Sequence, residues 1–243
     1  MGNKTQHRSR KIVRKKHTNQ PQFSLVSRFV AALVLTVVLG GFILTMPKPE
    51  VKQPEKVLAK REFSMEKRYG NEFVNGVFKD NILLNAAYIG GKMKVSASPD
   101  WKAVQKPFTG SIVLKPNETF AYHKDVLPQY KGKPVKALDL HFGADQGFKS
   151  DGYLMGDGVC HLASLINWAA RDAKLDVVSP TNHDFANIAQ VPREYGVAIY
   201  NMPGNESGNA QQNLYVTNTT GKAIAFKFSF DGENLAVSVV EQI

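Results

Sequence analysis

The run Gly156-Asp157-Gly158-Val159-Cys160-His161 sets the only cysteine of this chain just after two glycines, at the head of a strongly periodic segment. Val159, Leu162, Ala163, Ile166, Ala169, Ala170 and Ala173 follow the i, i+3, i+4, i+7 rule, which predicts a helix ending near Leu175. Cys160 then lies in the first turn, among unpaired backbone N–H groups and at the positive end of the helix dipole. Both favour a thiolate, the nucleophilic form of cysteine. Asp157 or Gly158 is the natural N-cap, and Cys160, Ser164, Asn167 and Arg171 line a polar strip beside the apolar stripe. The glycines at 156 and 158 leave room for a substrate backbone. With Asp157, His161 and Ser164 they make the expected substrate-binding rim. Downstream, Val177-Val178 reads as a short strand leading into Pro180-Thr181-Asn182-His183-Asp184, which sets His183 on a loop from which it could reach the thiol as a base.

A lone cysteine in a helix is also a small hydrophobe that packs well, and a loop histidine is often only a polar surface residue. With no second cysteine an intrachain disulfide is impossible, and an idle thiol on the oxidising side of a membrane is a liability. His161 adjoins the thiol in sequence, but successive helical residues face different ways. Cys160, His161 and His183 lack paired ligand spacing, so neither a metal nor another cofactor is expected.

The surrounding elements read as α+β. Phe73, Val77, Leu84 and Tyr88, with Val74, Phe78 and Ile82 beside them, predict a helix over 72–89 that stops at Gly90-Gly91. Ile112, Leu114 and Phe120 flank the turn Lys115-Pro116-Asn117-Glu118, which suits a hairpin or a strand corner. Near the C-terminus, alternation over 214–217, 224–230 and 235–240 predicts an antiparallel meander with one buried face. A helix carrying the cysteine packed on antiparallel strands is the expected architecture.

Charge and hydropathy place that domain. The formal charge is +10, yet eight basic residues stand between Met1 and Arg28 with no acid before Glu50, and the rest is nearly neutral. The 18 uncharged residues Phe29 to Met46, about 27 Å as a helix, read as one transmembrane helix with the basic tail (1–28) cytoplasmic. A cleaved signal peptide is the rival, with an overlong n-region and no A-x-A-like site before Pro47. Residues 47–70 alternate proline with charges and read as a solvated stem, and 71–243 as the extracytoplasmic domain of a single-pass plasma-membrane protein. The tail has too few aromatic residues for nucleic-acid binding and suits anionic lipid headgroups.

The run GDGVCHLASLINWAARDAKLDVV followed by TNHDF resembles the signature of the VanW-like family, with weaker likeness in DNILLNAAYIGG, LKPNETFAYH and Asp151-Gly152-Tyr153. Cys160 matches the family cysteine, His183 the family histidine, and Gly156 and Gly158 the glycine turn. His161 stands where relatives usually carry Gln, and Tyr195-Gly196-Val197-Ala198-Ile199 replaces an expected Asp-Ala-Thr stretch. If that aspartate orients the histidine in relatives, either Asp184 or Asn201 serves here or the chain is inactive. The resemblance implies cysteine-based acyl transfer on peptidoglycan stem peptides, L,D-transpeptidase-like, with Cys160 as nucleophile, His183 as base and N–H groups around Gly158 to Cys160 as oxyanion donors. The alternative is a non-catalytic envelope protein, linked to glycopeptide resistance, that binds peptidoglycan or its precursors or scaffolds a partner.

Overall fold

A computed structural model describes residues 55–243. The expected tail at 1–28, the span at 29–46 and the first part of the stem lie outside the described residues. Among the described residues, no helix is long and apolar enough to cross a membrane.

The α+β expectation holds, with the strands in two four-stranded sheets. The first is antiparallel and contains β1 (Glu55–Ser64), β2 (Phe108–Leu114), β7 (Ile224–Phe230) and β8 (Asn234–Gln242) in the order β1-β8-β7-β2. The second contains β3 (Thr119–Ala121), β4 (Val135–Ala137), β5 (Asp176–Val178) and β6 (Tyr215–Thr217) in the order β4-β3-β6-β5, antiparallel except for β3 with β4. The three-stranded C-terminal meander is therefore divided. β7 and β8 form its hairpin, while β6 joins the other sheet. The corner between them is built by Asn218, whose Nδ2 donates to the carbonyls of Leu114 and Lys222 and whose Oδ1 accepts from the Thr220 N–H. Lys115 to Glu118 is likewise a corner between sheets, not a hairpin, with Asn117 in the left-handed region at φ 63°.

The charged stem needs a larger correction. Its middle stretch is β1, an edge strand paired along β8 from Glu55↔Gln242 to Ser64↔Asn234. Its lysines and glutamates are exposed, as charged residues on sheet edges commonly are, while Arg61 lies over the Trp168 ring and pairs with Asp172, so the charged segment reads as solvated linker. Only near its end do Phe63 and Met65, both fully buried, reveal the core side. The folded unit thus begins well before Asn71.

Helix α1 (Glu72–Ile89) has the predicted bounds, with Asn71 Oδ1 accepting from the Val74 N–H at 3.2 Å as its N-cap. Its end lies against β2 where Gly90 and Gly110 meet back to back; a Cβ on Gly110 would stand 2.7 Å from the Gly90 carbonyl oxygen. The buried polar residues of α1 fix segments far downstream in the chain. Asn81 accepts from the Lys149 N–H and donates to the carbonyls of Lys149 and Asp157, tying down the loop before the cysteine helix. Asn85 donates to the Tyr122 hydroxyl, which donates to the Val159 carbonyl at 3.0 Å.

Candidate functional site

The cysteine helix runs from Val159 to Asp172 and is covered on nearly every side: Val159, Leu162, Ala163, Ile166, Ala169 and Ala170 are buried, and so are His161, Ser164 and Asn167. Gly158 is the N-cap, without a side-chain cap bond, at φ 97°. A Cβ there would stand 2.8 Å from the Phe78 carbonyl oxygen and 2.9 Å from Ile82 Cγ1, while one on Gly156 would meet Phe142 Cβ at 2.7 Å. Both glycines are buried. They serve close packing and a left-handed turn, not the approach of a substrate backbone. Asp157 is partly exposed; its carboxyl accepts from the Asp151 N–H at 3.4 Å, and burial, then the Asp151 charge, raise its pKa.

Apart from Arg171, which is exposed, the polar strip of the helix does not face water. It binds an extended strap, residues 195–199, rung by rung. Asn167 Nδ2 donates to the Tyr195 carbonyl at 2.9 Å, and Ser164 Oγ accepts from the Val197 N–H at 2.9 Å while donating to the Cys160 carbonyl at 2.7 Å. At the head of the helix Cys160 Sγ accepts from the Ile199 N–H at 3.4 Å and donates to the Ile199 carbonyl at 3.6 Å. On the strap's other side the Ala198 N–H donates to the Thr181 carbonyl. Strap groups that a sheet neighbour would otherwise satisfy are thus met by side chains three and four residues apart on the helix.

This sets the state of the thiol. Cys160 keeps some exposed surface, but its sulfur is hemmed in by protein. Burial pushes its pKa from the ordinary 9.0 up to about 11, with the nearby Asp157 charge adding to the rise and the Ile199 peptide only partly offsetting it. The expected dipole-stabilised thiolate is therefore outweighed by desolvation.

His183 is buried, and its ring contacts are aromatic rings and a backbone carbonyl. It lies 4.0 Å from the Phe185 ring and edge-on to His161 at 6.4 Å, between centroids, with Nδ1 on the Ala186 carbonyl at 3.1 Å. Among the described residues no hydrogen bond joins it to Cys160. Burial lowers its pKa, partly countered by Ala186. Neither candidate for its orientation reaches it by hydrogen bond: the Asp184 carbonyl accepts from Arg193, and Asn201 bonds to the Leu140 carbonyl and Asn209. His161 is an interior residue, not a rim residue. It packs against Phe78 at 5.0 Å, leaves Nδ1 without a partner, and has its pKa lowered to about 3 by burial first, then by the charges of Arg68 and His183. Ser164, fully buried, is a rung of the strap. Sequence reasoning does not single out Arg68 or the Tyr122–Asn85 pair. Arg68 lies in an apparent stem, and no periodicity distinguishes a buried arginine there from a solvated one.

The family model described as VanW like protein matches residues 106–240. No curated protein and no solved structure matches the chain. The matched stretch includes β2, the cysteine helix, the strap and the β7–β8 hairpin up to Val240, more than half of the sequence, and the chain therefore belongs to the VanW family.

Proposed function

We propose that this chain is a non-catalytic cell-envelope binding module that holds peptidoglycan stem peptides or their precursors on the VanW fold. Family membership links it to the cell envelope and to glycopeptide resistance. The observation that carries the non-catalytic reading is the engagement of Cys160 Sγ by both peptide groups of Ile199, which gives the sulfur a structural task. Acyl transfer, which the resemblance implies, requires a thiolate and a base within hydrogen-bond reach. A thiol held protonated and a histidine turned toward His161 favour binding instead. The strap that covers the cysteine is the same Tyr195–Ile199 stretch that stands in place of the expected Asp-Ala-Thr.

We place the domain outside the plasma membrane, tethered by the apolar run at 29–46 with the basic tail near anionic lipid on the cytoplasmic side. The test uses the full-length chain and purified cell-wall sacculi. Wild type and Cys160→Ala are expected to sediment equally with the sacculi, and neither should join a donor stem peptide to an acceptor amine by mass spectrometry. A cross-linked product that disappears in Cys160→Ala would overturn the proposal. Failure of wild type to sediment with sacculi would remove the wall as its partner.

A further inference from the structure

Arg68 is a cation that the fold buries without a counter-charge. It lies in the turn between β1 and α1, is 4% exposed, and stacks its guanidinium over the Phe63 ring at 4.1 Å. Its Nη2 donates to the Ala189 carbonyl at 3.1 Å and to Gln190 Oε1 at 3.0 Å. Nε and Nη1 have no partner, and no carboxylate of the described residues forms an ion pair with it. A desolvated, uncompensated charge is among the costliest features a domain can carry, and natural examples are ordinarily paired.

The surroundings hold this cation in place. Gln190 is a non-glycine residue in the left-handed region, φ 64°, and its Oε1 accepts from the Ser64 N–H at 2.8 Å as well as from Arg68. Backbone strain of this kind persists where neighbouring contacts over-determine it, and it concentrates at functional positions. Arg68 also lines a cleft of about 590 Å³ with Tyr69, Asn75 and Asn187, with Lys67 adding positive charge and Glu66 and Glu72 negative charge. A second hollow of about 290 Å³, lined by His183, shares Asn187 and Ala189 with the first, so both flank the same stretch of chain. The unpartnered Nδ1 of His161, within the field of Arg68, is a second unsatisfied buried atom in this region.

We infer that Arg68 anchors a carboxylate-binding subsite in this cleft and seats the C-terminal carboxylate of a wall stem peptide. The inference rests on the wall-peptide reading of the domain. The mixed charge of the rim suits a stem peptide, which carries a free amine as well as carboxylates. Both unpaired nitrogens are shut from bulk water beneath a turn that Asn75 ties down, its Oδ1 accepting from the Arg68 and Tyr69 N–H groups and its Nδ2 donating to the Glu66 carbonyl, so a carboxylate reaches the guanidinium by opening that turn.

The experiment is calorimetric titration of the full-length chain with N-acetyl-L-Lys-D-Ala-D-Ala, with the same peptide as its C-terminal amide, and with inorganic phosphate. The acid is expected to bind at least about tenfold tighter than the amide, as loss of a charge-assisted hydrogen bond implies. That preference should vanish in Arg68→Met and shrink in Arg68→Lys, which keeps the charge but not the planar donors. Without peptide, Arg68→Met should melt no lower than wild type, because it removes a buried ion with no partner. Equal binding of acid and amide, an acid preference that survives Arg68→Met, or phosphate binding as tightly as the acid would overturn the subsite. So would a sharp fall in melting temperature for Arg68→Met, which would mark the arginine as purely structural. If sacculi bind while neither peptide does, the subsite fails and the wall-binding reading stands; if sacculi do not bind, that reading fails first.

Discussion

The reactivity of Cys160 toward a thiol reagent is the most direct measure of what the strap does to the sulfur. An ordinary thiol here would titrate near 9.0, and Cys160 is pushed up to about 11. Two pKa units lower the thiolate fraction at neutral pH about a hundredfold, and alkylation rate tracks thiolate fraction. Iodoacetamide should therefore modify Cys160 of the native chain about a hundredfold more slowly than glutathione at pH 7. Its rate should climb tenfold per pH unit past the point near 9 where an ordinary thiol levels off. In denaturant the difference should disappear. His183→Ala should leave the profile unchanged, because the imidazole makes no hydrogen bond to the sulfur. The same shift has a thermodynamic face: the unfolded thiol ionises first, so stability held below pH 9 is lost as pH rises between about 9 and about 11. A native rate within about threefold of glutathione at pH 7, or a plateau below pH 9, would refute the reasoning and restore the nucleophile.

Two further measurements probe the same neighbourhood. Ser164→Ala leaves the buried Val197 N–H without an acceptor and should destabilise the fold by about 1–3 kcal/mol in urea unfolding; a change under about 0.5 kcal/mol would mean that the strap is not held by the helix. His161 is buried with its pKa lowered to about 3, so the stability it contributes is fully present above about pH 6.5 and is lost as pH falls toward 3. Urea midpoints of wild type should therefore fall more steeply with acid than those of His161→Phe, and parallel curves would discount the burial argument.

Much of the fold is legible in periodicity and punctuation. Helix 72–89 has its apolar spacing and its double-glycine stop, and the observed bounds coincide. The cysteine helix and the β7–β8 hairpin are equally plain. Sheet membership is not. The pattern of β6 is that of any short strand, and the corner at Asn218, whose side chain bonds to the distant Leu114 carbonyl and to the nearby Lys222 carbonyl, separates it from β7. β1 is hidden because an edge strand can be charged on its open side. At the site, the order of cysteine, polar strip and histidine loop is legible, but the direction of each side chain is not. A stripe of Cys160, Ser164 and Asn167 reads the same whether it faces a substrate or its own backbone. The choice is made by the strap, whose apolar sequence gives no sign that it lies against the helix.

The pairing of β1 with β8 also dictates an order of assembly. The first strand of the described fold closes against the last, so β1 leaves the ribosome long before its partner exists. Until Asn234–Gln242 emerges, one row of backbone groups in Glu55–Ser64 has no strand to bond with. Contacts this remote in sequence slow folding and leave an open edge that other chains can extend. The lysines and glutamates of β1, which obscure it in the sequence, are what discourage such pairing while the chain waits for its own C-terminal strand.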